Sequence, residues 1–111
     1  FILNVMEKLD KPVKAVFFVA PFDKLLKSQE VNALVKSFVD KDFKWEHIKH
    51  NAGMFYIFHS DNDPYISLDM AVQLALTLGV KVNLIKGAGH FNQRTNFVKF
   101  PQLLEKIKSE L

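Results

Sequence analysis

Three short runs dense in Val, Ile and Phe, at residues 13–20, 54–59 and 80–85, are separated by stretches in which apolar residues recur at helical intervals. A strand covered on both faces reads as a near-continuous apolar run, whereas a helix lying on a sheet shows a stripe with a period of about 3.6 residues. Runs of the first kind alternating with stretches of the second are the pattern of βαβ units. Such units build a parallel sheet with right-handed crossovers.

The local signals fill in that alternation. Residues 1–9 space Ile2, Val5, Met6 and Leu9 along one helix face, and Lys11-Pro12 ends the run. After the first strand, Val31, Leu34, Val35 and Phe38 fall at i, i+3, i+4 and i+7, with Ser28 placed as N-cap. A short turn holding Trp45 and Ile48 follows, closed by Asn51-Ala52-Gly53, so that residues 23–53 read as a connecting, cap-like helical segment. Beyond the second strand, Ser67 caps a helix with the stripe Leu68, Ala71, Val72, Ala75 and Leu78, and Gly79 stops it. The third strand alternates Val80, Val82 and Leu84 with Lys81 and Asn83, as a strand near a sheet edge does. A final helix starts near Pro101 and is expected to bury Leu104, Ile107 and Leu111.

Composition sets the outer limits. With 111 residues, 49% of them hydrophobic and 24% charged, the chain has the makings of one small globular domain. No stretch approaches the roughly 18 apolar residues of a membrane span, and residues 1–4 lack the pattern of a signal peptide. The net charge of +3 comes from lysines spread along the chain, with Arg94 the one arginine. Nucleic-acid binders concentrate their charge, so no such partner is expected. The absence of cysteine removes disulfides and thiolate chemistry, and it favours a reducing, cytoplasmic setting. The chain opens on Phe1 rather than Met and offers only three strands. Both features lead to the expectation that it is part of something longer.

In open α/β sheets, catalytic groups gather at the carboxyl ends of the strands. The loops after the three runs offer Pro21, Phe22 and Asp23, then Asp61, Asn62 and Asp63, then His90 and Asn92. A carboxylate on one loop and an imidazole on the next meet above adjacent strands. The carboxylate then fixes the tautomer of the histidine, so that its other nitrogen accepts a proton from a nucleophile. Gly87 and Gly89 allow a sharp turn beside His90, and Pro64 biases Asp63 towards an extended backbone.

The sequence 58–66 (Phe-His-Ser-Asp-Asn-Asp-Pro-Tyr-Ile), followed by Gly87-Ala88-Gly89-His90-Phe91-Asn92, resembles the YdeN-like family of small serine hydrolases, the group of retinoblastoma-binding protein nine. Residues 13–22 look like the strand after that family's nucleophile helix, and Trp45, Ile48 and Asn51-Ala52 resemble its segment before the acid strand. The resemblance covers essentially the whole chain. It implies the C-terminal part of an α/β-hydrolase, three parallel strands with flanking helices, with Asp63 as the triad acid and His90 as the general base. Asp63 takes precedence over Asp61 because the broader fold places the acid three residues before a small apolar residue, here Ile66. A Gly-x-Ser-x-Gly nucleophile elbow is expected just before residue 1 and does not occur in the chain. The implied function is hydrolysis of small esters or related acyl compounds, inactive without a nucleophile-bearing N-terminal half. That half, or a second copy of the chain, is the implied partner.

Blander readings stand beside these. Asp61-Asn62-Asp63-Pro64 is also a plain turn sequence. It lacks the Gly and distal Glu of a calcium loop, so neither a metal nor any other cofactor is expected. His59 reads as a satisfied core residue, and His47 and His50 as solvent-facing. Trp45, Phe38 and Phe43 are packing for the connecting segment or walls of a substrate pocket. Asn92 orients the histidine loop or caps a turn. Ser28, Ser37, Ser60, Ser67 and Ser109 do not sit in a strand–turn–helix elbow. The rival to a hydrolase segment is a non-catalytic interaction module that uses its exposed sheet edge.

Overall fold

A computed structural model describes all 111 residues. The elements run α1 (Ile2–Met6), β1 (Val13–Val19), α2 (Gln29–Val39), α3 (Trp45–His50), β2 (Ala52–Ser60), α4 (Leu68–Leu78), β3 (Val82–Ile85) and α5 (Pro101–Glu110). A single 3₁₀ turn, Gln93–Thr95, precedes α5. The three strands form one parallel sheet in the order β1-β2-β3, with Val13 opposite Ala52 and Ile57 opposite Val82 at the starts of the two ladders. The α/β architecture expected from the alternation is therefore the observed one.

Strand β2 sits in the middle, and burial rises along it until Ile57, Phe58, His59 and Ser60 have almost no exposed surface. On one face, Val16 and Phe18 of β1 and Phe55 and Ile57 of β2 pack under α1, α3 and α4 through Leu3, Met6, Ile48, Ala71, Leu74 and Leu78. Full burial of a side chain such as Ile57 or Leu74 contributes about 1.5–3 kcal/mol. The other face holds aromatics: Phe17 stacks on Tyr56 with ring centroids 5.0 Å apart, and Phe100 meets Phe58 edge-on at 5.2 Å. Both predicted N-caps are formed, Ser28 accepting from the Val31 amide and Ser67 from the Met70 amide. Gly79 ends α4 in the left-handed conformation.

Several expectations need correction. The first helix is shorter than residues 1–9, and it is Leu3 and Met6 that turn inward while Ile2 and Val5 stay exposed. The segment around Trp45 is a helix, and β2 begins at Ala52, directly after it. Asn51 makes that junction possible: its side-chain amide donates to the carbonyls of Met6 (2.8 Å) and Leu9 (3.3 Å), and its own carbonyl accepts from Val13. In α4, Leu74, which is outside the expected stripe, is fully buried together with Ala71, whereas Val72 is partly open. Helix α5 forms at Pro101, but Leu104, Ile107 and Leu111 are exposed. It is moored at its ends, by Phe100 and by a 2.6 Å bond from Tyr56 Oη to the Glu110 carboxylate, which leaves its stripe unseated. The region 23–53 contributes α2 and α3. It is tied to α1 by Glu7, which pairs with Lys41 and accepts from the Lys44 amide at 2.7 Å. No helix is long and apolar enough to cross a membrane.

Strand β1 is not covered on both faces along its length: only Val16 and Phe18 are buried, and Val13 and Val19 are open. It pairs with β2 on one side and with no strand on the other. A seven-residue strand whose only charge is Lys14 is a template for further pairing. Taken by itself, the 111-residue chain is expected to associate, either with itself or with a complementary part of the fold. Light scattering checks this. A monodisperse monomer of 12.8 kDa that unfolds cooperatively would favour the self-contained interaction module instead.

Candidate active site

The carboxyl ends of β2 and β3 lie side by side, with Ser60 opposite Ile85. The loops that leave them are 61–67 and 86–92; three hydrogen bonds join one to the other, and a fourth reaches the second loop from Ser60 at the end of β2. Asp61 accepts from the Gly87 amide at 2.8 Å, and Asn62 accepts from the Gly89 amide at 2.8 Å. Ser60 Oγ donates to the Gly89 carbonyl. Asp63 Oδ2 lies 2.9 Å from His90 Nδ1. The two residues singled out from the sequence are thus brought together. Asp61, the reserve carboxylate, has a different task in holding the turn at Gly87.

The local backbone explains why Asp63 points where it does. Its Oδ1 accepts from the amides of Tyr65 (2.8 Å) and Ile66 (3.0 Å), a turn that the following Pro64 stiffens. That leaves Oδ2 for the imidazole. The Asp63 side chain is wholly covered, while 37% of the His90 side chain is exposed. Burial pushes the Asp63 carboxyl up. The His90 hydrogen bond, the two amides and the charge of His90 together outweigh that push and hold it below the usual 3.8. Tyr65 stands edge-on to the His90 ring at 5.2 Å and restricts its tilt.

Gly87 and Gly89 both adopt positive φ, as the turn read from the sequence requires. At Gly89 a side chain would also run into Thr95, so only glycine lets the loop fold back on the 3₁₀ turn. Phe91, itself at positive φ, stacks on Phe100 at 5.4 Å and meets Phe97 edge-on at 5.1 Å. These rings anchor the histidine loop to the sheet through Phe58. Nothing in the spacing of these phenylalanines singles them out in the sequence. Asn92 makes no hydrogen bond to His90; its carbonyl accepts from Thr95 and Phe97 and closes the turn.

His59 is fully buried below the acid loop, and its Nε2 lies 2.9 Å from the Ile66 carbonyl. Facing a carbonyl, Nε2 must carry the proton, so His59 supports the same turn that orients Asp63. Its Nδ1 has no partner, so the expected satisfied core histidine is only half satisfied. His47 and His50 face solvent as expected. Trp45 and Phe43 pack against each other at 5.3 Å, within or against the core. Phe38 is partly open and meets Phe1 edge-on.

A parallel α/β sheet with a carboxylate–imidazole pair above two adjacent strand ends is the arrangement of an α/β-hydrolase. The sequence profile of the serine hydrolase family matches residues 1–109, and the chain belongs to that family. The crystal structure of the ydeN gene product from B. subtilis superposes with a TM-score of 0.87 at 20% identity. The match covers 98% of this chain and 58% of that one, so the chain spans little more than half the length of the solved relative. At that identity the likeness shows the fold. None of the curated proteins matches the sequence.

The depressed Asp63 carboxyl makes a prediction about pH. A carboxylate held below its unfolded value contributes stability that is complete above about 3.8 and is lost as the pH falls through the lowered folded value. Denaturation midpoints measured from neutral pH into the acid range should therefore fall less steeply below pH ~4 in Asp63→Asn than in the parent. Identical acid limbs would mean that Asp63 is not held ionised by His90 and the two amides.

Proposed function

We propose that this chain carries the acid and the base of a Ser-His-Asp hydrolase of esters or related acyl compounds, with Asp63 the acid and His90 the base. The nucleophile is assigned to a part of the hydrolase fold beyond these 111 residues. The observation that carries the reading is the 2.9 Å bond between Asp63 Oδ2 and His90 Nδ1, made across adjacent post-strand loops. A carboxylate facing Nδ1 makes that nitrogen the protonated one. Nε2 then keeps its lone pair and accepts the proton of a serine hydroxyl as the hydroxyl attacks an acyl carbon. The imidazolium that forms lies beside a buried negative charge, and it returns the proton to the leaving group.

The serines present have other occupations. Ser28 and Ser67 are helix caps, Ser60 is buried against the Gly89 carbonyl, and Ser109 bonds back to Lys106 within α5. Ser37 lies within α2, exposed. The free edge of β1 is where the remainder of the fold would join the sheet. Membership of the serine hydrolase family supports a nucleophile of the expected type.

The test uses the full-length hydrolase that contains this segment and a fluorophosphonate probe, which reports an activated serine. His90→Ala should abolish labelling. Asp63→Asn should slow it by about three to four orders of magnitude, because an amide holds the ring in the wrong tautomer. Asp61→Asn should be mild, since the amide oxygen still accepts from Gly87. Undiminished labelling of the His90 variant, or a larger loss at Asp61 than at Asp63, would overturn the assignment.

A further inference from the structure

Helix α2 carries an amphipathic stripe, yet Val31 and Phe38 of that stripe remain partly exposed. Part of the stripe faces a cavity instead of the core. A hollow of about 480 Å³ is walled by Phe22 from the loop after β1, by Leu26 just before α2 and Val31 and Val35 within it, and by Ile66 and His90 from the two loops of the proposed triad. Its size lies within the range typical of small-molecule sites, roughly 300–1,000 Å³. The entrance to α2 is itself held in place: Asn32 accepts from the Leu26 amide at 2.7 Å and donates to the Leu26 carbonyl at 2.6 Å. That pair fixes the Leu26 wall against Val31. A second apolar hollow, of about 320 Å³, shares Phe22 and Val35 but has neither Asp63 nor His90 in its wall.

Resting on the hydrolase reading above, we propose that the cavity beside His90 binds the leaving-group portion of the ester, and that this portion is an apolar alcohol. The argument is one of proton transfer. In the acylation step the serine oxygen forms a bond to the acyl carbon, and the bond from that carbon to the alcohol oxygen breaks. The serine proton passes to His90 Nε2 and then to the departing alkoxide. The alcohol oxygen must therefore come within hydrogen-bond reach of the imidazole. Whatever is attached to it lies in the space that the imidazole borders, and most of that lining is aliphatic or aromatic, with Lys27 and Ser28 at the edge where α2 begins. The acyl portion points the other way, towards the nucleophile. Segment 23–53, which sequence reading left between packing and pocket wall, supplies the wall through Leu26, Val31 and Val35.

The experiment measures kcat/KM, which reports acylation, for two ester series on the full-length enzyme. One series holds the acyl group at acetyl and lengthens the alcohol from methyl to hexyl; the other holds methanol and lengthens the acyl chain. The alcohol series should rise about fourfold per methylene until the cavity fills, the increment expected for burying one such group. Val31→Trp should flatten that rise, and the milder Val31→Ser should lower its slope. In both variants the slope of the acyl series should keep the parent's value whatever the absolute rates, and Leu34→Ser, on the exposed side of α2 and outside the cavity wall, should leave both series and the labelling rate unchanged. A flat alcohol series, or a Val31→Trp effect confined to the acyl series, would overturn the proposal even with labelling intact. Loss of labelling in the parent enzyme would instead strike the hydrolase reading itself.

Discussion

The rest of the structure depends on the central position of β2. It alone has a strand on each side, and its last four residues are sealed from water. A backbone so deep must have its polar groups paired, and the parallel ladders to β1 and β3 do this. Those ladders set the level at which the chain emerges from each strand. The acid loop leaves β2 at Ser60, level with Ile85 at the end of β3, and the histidine loop follows a few residues later. The meeting of Asp63 and His90 is thus a consequence of strand register, refined by side chains.

That refinement comes from short polar residues spending their hydrogen bonds on the neighbouring loop. Ser60, Asp61 and Asn62 each bond to the backbone of Gly87 or Gly89. His59 holds the carbonyl of Ile66 from below, and the Ile66 amide holds Asp63. In the proposed triad this support matters, because the orientation of the carboxylate decides which nitrogen of the imidazole carries the proton. On the far side, the ring cluster of Phe58, Phe91, Phe97 and Phe100 gives the histidine loop an apolar anchor that hydrogen bonds alone would not provide.

The connecting segment is organised differently from the sheet. Helix α3 feeds the core through Ile48, which is fully buried, whereas α2 leaves several apolar side chains partly open. A helix that spends part of its apolar face on a cavity beside His90, and is fastened by the Asn32–Leu26 pair, has the character of a pocket wall. The amphipathic period that marks α2 in the sequence is the same in either case. Periodicity says that one face is apolar but not what that face meets.

Local chemistry in the sequence determined the alternation of elements, the caps at Ser28 and Ser67, the stop at Gly79, the glycines at positive φ, and the pair of loops that carry Asp63 and His90. Each of these depends on residues close together in the chain, where sterics and short-range hydrogen bonds dominate. Tertiary structure decided the rest. It turned Leu3 rather than Ile2 inward, buried Leu74 of α4, left the stripe of α5 exposed, and gave Asp61 to Gly87 so that Asp63 alone faces the imidazole. Which side of a helix is buried depends on what lies across from it. Which of two nearby carboxylates reaches a histidine depends on the stagger between strands, and neither quantity is written into any single stretch of residues.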